Sequence, residues 1–273
     1  MFKVTEILFP VDFSDQTRSV APFVSALRAH FGANLTVIHS LQIPPQSYLP
    51  YGAHLVAELK KGLRKSAAVS MQEFVKQAFA SLPVRSVIED GDSARAIVEY
   101  AQKHGSDLIM LATHGYGPFR RFLIGSVTSK VLHDSSTPVW TSVHTDAPPL
   151  DPHGYRTVLC AVDRGASSVP LMRWAKGLAE SYGATLGLVH VVHSANEIAA
   201  RRDEFGTWIR EAGGESEILL PCGDIAGRVT ETAQQENADL LVVGRGHIQR
   251  QLGGLRTHSL EIIRQSPCPV VSV

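Results

Sequence analysis

Residues 107–132, DLIMLATHGYGPFRRFLIGSVTSKVL, hold the passage that decides the fold of this chain. Asp107 bounds an apolar run, Leu108 to Leu111, which reads as a buried strand. Ser126 stands ahead of Val127, Val131 and Leu132, which reads as an N-capped helix with one apolar face. The loop between them carries Gly115, Gly117 and Gly125. A strand, a glycine-bearing loop and a helix start are the parts of an anion site. Backbone amides approach phosphate oxygens there, and the helix N-terminus adds free N–H donors and partial positive charge. The segment therefore reads as a phosphate binder. Neither the GxxxxGK[ST] loop nor the GxGxxG fingerprint occurs anywhere in the chain.

Outward from this segment, the composition is that of an ordinary globular protein. The 273 residues favour two domains or one large one, and 44% apolar with 19% charged content is enough for a core. Lys+Arg and Asp+Glu balance at 26 each, so charge makes no case for nucleic acid or an anionic membrane as partner. No window reaches the roughly 18 apolar residues that span a bilayer, and the opening MFKVTEILFPVDF resembles a first strand rather than a secretory leader. Cys160, Cys222 and Cys268 are odd in number and far apart, which suits a reducing, cytoplasmic setting.

The chain is also a repeat. KVTEILFPVDFSD at 3–15 matches RTVLCAVDRGAS at 156–167, and FGANLTVIHS matches YGATLGLVHV, both at an offset of 151, so Asp12 answers Asp163 and His39 answers His190. EDGDSARAIVEYAQKHGSDLIML matches PCGDIAGRVTETAQQENADLLVV at an offset of 132, and TPVWTSV matches CPVVSV at 131. The second half is therefore 19 residues shorter between its second and third strands. Self-similarity of this order indicates duplication. The proline-bearing stretch 143–155 reads as the linker, giving domains at 1–145 and 154–273.

Apolar strands alternate with helical patterns in each half, the signature of parallel βαβ units. Strands are expected near 4–11, 34–40, 84–89, 107–112 and 138–143, with helices near 15–31, 55–80, 93–104 and 126–135. The second half repeats this with strands near 157–162, 185–191, 216–221, 239–244 and 269–273 and helices near 167–181, 197–212, 225–236 and 257–265. The expectation is an α/β protein of two doubly wound five-stranded parallel-sheet domains. Ligands of such sheets bind outside the carboxyl ends of the strands.

The glycine spacing resembles the universal stress protein pattern G-x2-G-x9-G-[ST], here Ala112-Thr113-His114-Gly115 followed by Gly125-Ser126, with alanine in place of the first glycine. With ILFPVDFSD, VIHS, GDSARAIVEYAQKHGSDLIM and TPVWTSV, the chain resembles a tandem universal stress protein over nearly all of both halves. The resemblance implies the adenine nucleotide alpha hydrolase-like strand order 3-2-1-4-5, ATP with Mg2+ as ligand, a stress-response or regulatory binding role, and dimer contacts made by the last strand. It implies that Pro10, Val11 and Asp12 flank the nucleoside, with the Asp12 carboxylate near the ribose hydroxyls, and that Ser40 presents backbone to adenine. Ala112, Thr113, His114, Gly115 and Gly117 would wrap the phosphates, and Gly125, Ser126, Val127 and Thr128 would supply amides and hydroxyls. The alternative for Asp12, weighted below the ribose reading, is a turn or N-cap residue at a strand–helix junction. Ala112 is tolerated if its φ is negative.

Other groups are less specific. Arg120, Arg121 and His114 could reach phosphate or be plain surface residues, and His190 and His193 point to opposite faces of a strand end, so a zinc pair is not expected. In the second half Asp163 and Gly244 remain, but His247 stands at the place of Gly115 and Arg256 at that of Gly125. One ATP per chain follows. The counter-reading is a guanidinium anion site built from Arg245, Arg250 and Arg256. No nucleophile elbow or fixed acid pair appears, so a binding module is favoured over two rivals: an ATP-hydrolysing or adenylating enzyme on the same fold, and a nucleotide-free interaction protein. The last strands, 138–143 and 269–273, would be sheet edges and are expected to be covered, by an internal pseudo-dimer of the two halves and by a homodimer of chains.

Overall fold

The computed structural model describes residues 2–42, 53–80, 82–113, 124–143, 154–165, 167–245 and 257–273. In the first half, β1 (Glu6–Pro10), β2 (Asn34–Leu41), β3 (Arg85–Asp90), β4 (Leu108–Leu111) and β5 (Val139–Thr141) alternate with α1 (Asp15–Phe31), α2 (Ala53–Ala78), α3 (Ser93–His104) and α4 (Ser126–Asp134). The second half repeats the series as β6 (Thr157–Ala161), α5 (Ser168–Tyr182), β7 (Thr185–Val189), α6 (Ile198–Glu211), β8 (Ile218–Leu219), α7 (Ile225–Gln235), β9 (Leu240–Val243), α8 (Thr257–Gln265) and β10 (Val270–Ser272). A single turn of 3-10 helix, Ala195–Glu197, precedes α6. The expected strand near 216–221 is only two residues long, and α2 outruns its counterpart α6, 26 residues to 14, which accounts for most of the length difference between the halves.

All ten strands form one sheet in the order β3-β2-β1-β4-β5-β10-β9-β6-β7-β8. Each half reads 3-2-1-4-5 from its outer end inward, and pairing within a half is parallel. The halves meet where β5 and β10 pair antiparallel, with Trp140 opposite Val271, its own repeat counterpart, and Val139 opposite Ser272. Equivalent residues facing each other place a pseudo-twofold axis at that rung. Both last strands are thus covered by one another, the solution expected for apolar edges.

The helix boundaries follow local chemistry. Ser14 caps α1 by accepting from the Thr17 amide, Asp92 caps α3 from the Arg95 amide, and Gly32, Gly105 and Gly183 end helices in the left-handed conformation. Asp107 and Asp239 do the same work in the two halves: each carboxylate accepts backbone amides at the start of the first strand of its half, Thr5 and Glu6 in one case, Arg156 and Thr157 in the other. This ties the loop before β4 or β9 to the loop before β1 or β6.

Each face of the sheet carries an apolar layer that crosses the half boundary. One contains Phe9, Phe74, Trp140, Phe205 and Val271, the other Leu8, Ile109, Leu132, Leu159 and Ile263. The end of the expected linker belongs to the first layer: Tyr155 is buried, and its hydroxyl accepts from Trp140 Nε1 at 3.1 Å. Tyr155 leads through Tyr182 to His30, whose ring stacks on Tyr182 at 3.6 Å, and Phe2 spans from Phe31 to Trp174. Aromatic packing, rather than the β5–β10 ladder alone, joins the halves. Among the described residues no helix is long and apolar enough to cross a membrane.

Candidate functional site

The carboxyl ends of β1, β2 and β4 surround a cavity of about 320 Å³. Pro10, Val11 and Asp12 form one wall, Ser40 a second, and Ala112 with Gly125, Ser126, Val127 and Thr128 a third. Nine of the thirteen expected residues therefore line one space. Thr113 lies behind it: 1% exposed, it receives the Gly125 amide on its carbonyl at 2.8 Å and gives its own amide to Ser142 Oγ at 3.3 Å. Its role is to hold the loop ends, not to line the cavity. His114, Gly115, Gly117, Arg120 and Arg121 lie outside the described residues.

The third wall corrects the helix start. Gly125, not Ser126, is the N-cap of α4, and among the described residues no side chain is seen to cap its first-turn amides. Thr128 Oγ1 is turned back to the Ala112 carbonyl at 3.0 Å, locking the helix to the end of β4. A nine-residue helix thus opens on the cavity with a glycine cap and no capping side chain among the described residues, whereas Ser14 and Asp92 cap α1 and α3. Such an end favours an anion. Ala112 does not have positive φ, so its methyl carries no backbone strain.

Asp12 is both a turn residue and a wall. Its Oδ1 accepts the Ser14 amide at 3.0 Å, the Ser14 hydroxyl at 2.6 Å and the Thr17 hydroxyl at 2.5 Å. All three bonds fall on one oxygen, and the residue itself is exposed. The neighbouring residue, Phe13, has φ 66°, a left-handed conformation that costs a bulky side chain roughly 1–2 kcal/mol.

Six further residues line the cavity that the motif did not indicate: Thr17, Ile38, His39, Ser93, Ile97 and Leu111. His39 was marked by the repeat, and its Nδ1 lies 2.8 Å from the Val11 carbonyl. A carbonyl only accepts, so Nδ1 carries the proton and Nε2 is the acceptor when the ring is neutral. Ser93 and Ile97 come from α3, whose inward face is set by packing. Lys130 on α4 reaches the Asp92 cap of α3 at 3.1 Å, and the hydrogen bond from the Arg95 amide together with Lys130 holds the Asp92 carboxyl below its ordinary range.

The repeat places a second cavity at the matching ends of the second half, but it holds only about 100 Å³. Val191 stands where the first half has Ser40, Ile225 where it has Ser93, and His258 where it has Val127. His190 repeats the His39 bond, to the Val162 carbonyl at 2.9 Å, and burial pushes its pKa down. Of the guanidinium anion site, Arg245 alone lies among the described residues. Its Nη2 donates to the Thr137 and Ser272 carbonyls, its Nε donates to Ser272 Oγ at 3.3 Å, and burial lowers its pKa to about 10. That guanidinium ties the second half to Thr137, two residues before β5. Arg250 and Arg256 lie outside the described residues. No cluster of three or more His, Cys, Asp or Glu suited to a metal occurs among the described residues.

With the geometry in hand, the chain matches the sequence profile of the Universal stress protein family over residues 3–142 and 154–220. A universal stress protein of Thermus aquaticus is 30% identical over 141 residues, covering 51% of this chain and 97% of the relative. One from Methanocaldococcus jannaschii is 27% identical over 136 residues, 49% of this chain and 79% of the relative. The crystal structure of a universal stress protein from Archaeoglobus fulgidus superposes with a TM-score of 0.72 at 20% identity, covering 99% of this chain and 96% of that one, and so shares the two-unit fold. The second profile match stops at residue 220, before α7, β9 and the loop where the second half loses the glycine pattern.

Proposed function

The chain belongs to the universal stress protein family, and from that premise we propose that it is a tandem member whose first unit binds ATP and whose second does not. The units are 1–145 and 154–273. The observation that carries the reading is the glycine-capped start of α4, without a capping side chain among the described residues, on the wall of a cavity of about 320 Å³, within the ordinary range for small-molecule sites. Pro10, Val11 and Asp12 with Ser40 would hold the nucleoside. Asp12 suits ribose because a carboxylate accepts two hydroxyl hydrogens and its Oδ2 takes none of the three bonds that occupy Oδ1. The amides of Ser126, Val127 and Thr128, with His114, Gly115 and Gly117, would hold phosphate. Mg2+ would arrive with the triphosphate and neutralise it.

We read the site as binding rather than catalytic. Among the described residues its titratable wall residues are Asp12 and His39, and each is held by neighbours: Asp12 by Ser14 and Thr17, His39 by the Val11 carbonyl. A stress-responsive regulatory module in the cytoplasm follows from this reading. Homodimerisation of the chain would use surfaces other than β5 and β10, which already cover one another.

The test is acid extraction of the purified chain followed by nucleotide analysis, with calorimetric titration of MgATP into the emptied protein. ATP release and saturable binding are expected, and Gly125→Val, which brings a branched side chain into the cavity wall at a φ of −57° open to any residue, abolishes both. Unchanged binding by that folded variant contradicts the site. Phosphate release over hours in the same titration mixture would favour the enzymatic rival.

A further inference from the structure

Among the described residues, two that are not glycine have positive φ: Phe13 at 66° and Asn237 at 50°. Asn237 follows the C-cap of α7, where asparagine is a normal left-handed residue. Phe13 has no such excuse. It lies between Asp12, a wall of the first-half cavity, and Ser14, the cap of α1. A strained bulky residue persists only where its surroundings over-determine it, and such residues gather at functional sites.

What holds Phe13 is visible. Its ring lies 4.5 Å from the His39 ring at an angle of 32° and 6.0 Å from Phe74. The turn around it is pinned on both sides: the Val11 amide to the Ile38 carbonyl at 2.8 Å, the Val11 carbonyl to His39 Nδ1 at 2.8 Å, and the Ser14 amide to Asp12 Oδ1 at 3.0 Å. The second half separates the general part of this device from the special part. It keeps the histidine–carbonyl bond through His190 and Val162, but there the ring is covered by Phe205 of α6, and Arg164 at the position of Phe13 has no positive φ. The histidine bond therefore serves the fold in both halves. The left-handed aromatic occurs in the half with the larger cavity.

We propose that Phe13 is a positioning residue of the first-half site: its ring, seated on His39, holds the turn in the conformation that fixes the Asp12 carboxylate on the cavity wall. This rests on the nucleotide reading above and deepens it. A carboxylate already tied by one oxygen loses no freedom on meeting a ligand with the other, which is how preorganisation raises affinity.

Three forms of the full chain test it, the wild type, Phe13→Gly and Phe13→Tyr, by MgATP titration, thermal melting and hydrogen exchange at Ser14. Glycine adopts φ 66° freely, so Phe13→Gly removes the strain together with the ring and melts within a few degrees of wild type. Its affinity for ATP is expected to fall about tenfold, with faster exchange at the Ser14 amide in the free protein. Phe13→Tyr keeps the ring and restores both. Wild-type affinity in Phe13→Gly, a loss of affinity that merely tracks lost folding, or a Phe13→Tyr as impaired as the glycine variant each overturns the proposal. If Gly125→Val abolishes binding while Phe13→Gly leaves it intact, only the role of Phe13 fails. If the wild type takes up no ATP, the parent reading fails and takes this one with it.

Discussion

Two cavities at equivalent strand ends, one of about 320 Å³ and one of about 100 Å³, share a backbone plan and differ in the side chains that line them. Ser40, Ser93 and Val127 in the first half become Val191, Ile225 and His258 in the second. The 3-2-1-4-5 order, the aspartate after the first strand, the histidine–carbonyl bond and the aspartate cap before the third helix all survive on both sides. Duplication thus preserved what the fold needs, while the site diverged through side chains facing the cavity and through the loop before the last helix. The comparison also shows what the second half gained. Arg245, at the position of Thr113, gives its guanidinium to the Thr137 carbonyl of the first half, so a position behind the cavity in one half became a tie between halves.

The comparison is broken most severely at the seam. Trp140 is fully buried, faces its counterpart Val271 and supports Tyr155. Trp140→Ala should cost about 3–5 kcal/mol of unfolding free energy, measured by denaturant titration, and should unfold both halves together. A loss below about 1 kcal/mol, or two separated transitions, would show that the halves do not depend on this packing.

A second break imports the second half into the first. Ser40→Val with Ser93→Ile fills the base end of the larger cavity with the residues that narrow the smaller one. ATP affinity should fall roughly a hundredfold, about 2.7 kcal/mol, with the melting temperature retained. Ser40 Oγ also donates to the Gly91 carbonyl at 2.9 Å, so the single Ser93→Ile variant separates cavity filling from loss of that bond. Binding unaltered in both variants would mean that these positions do not shape the site.

The smallest effect sharpens the comparison through pH. Burial lowers the folded-state pKa of His190, so the unfolded chain binds more protons just below the ordinary histidine value. The sign is that stability is full above about pH 6.5 and falls as pH drops through the window down to the folded pKa, by at most about 1.4 kcal/mol per pH unit for one group. His190→Asn keeps an N–H for the Val162 carbonyl and removes the titration, so its stability should decline less between pH 7 and pH 5. His30, also lowered by burial, leaves a residual slope of the same sign. An unchanged slope in the variant would mean that His190 does not contribute.

Much of the fold was legible because the chain states it twice. Apolar runs such as Leu108–Leu111 and Leu240–Val243, each preceded by an aspartate that ties down its half's first strand, mark the fourth strands without ambiguity. Apolar last strands announced that edges would be covered. Less legible were features set by tertiary geometry. Ser126 reads as a cap because its residue type favours that position, yet the chain turns into the helix one residue earlier, at Gly125, whose lack of a side chain leaves the cap to backbone alone. Ser93, Ile97 and Thr17 enter the cavity wall from helices, where no motif spacing marks them. Phe13 could not be foreseen, since its conformation depends on a ring from β2.

The central claim, one functional nucleotide site in a duplicated chain, is tested most directly by counting. Calorimetric titration of MgATP into nucleotide-free protein should saturate at one ATP per chain, and should fall to none in Gly125→Val. Saturation at two per chain, or one per chain persisting in that variant, would contradict the account.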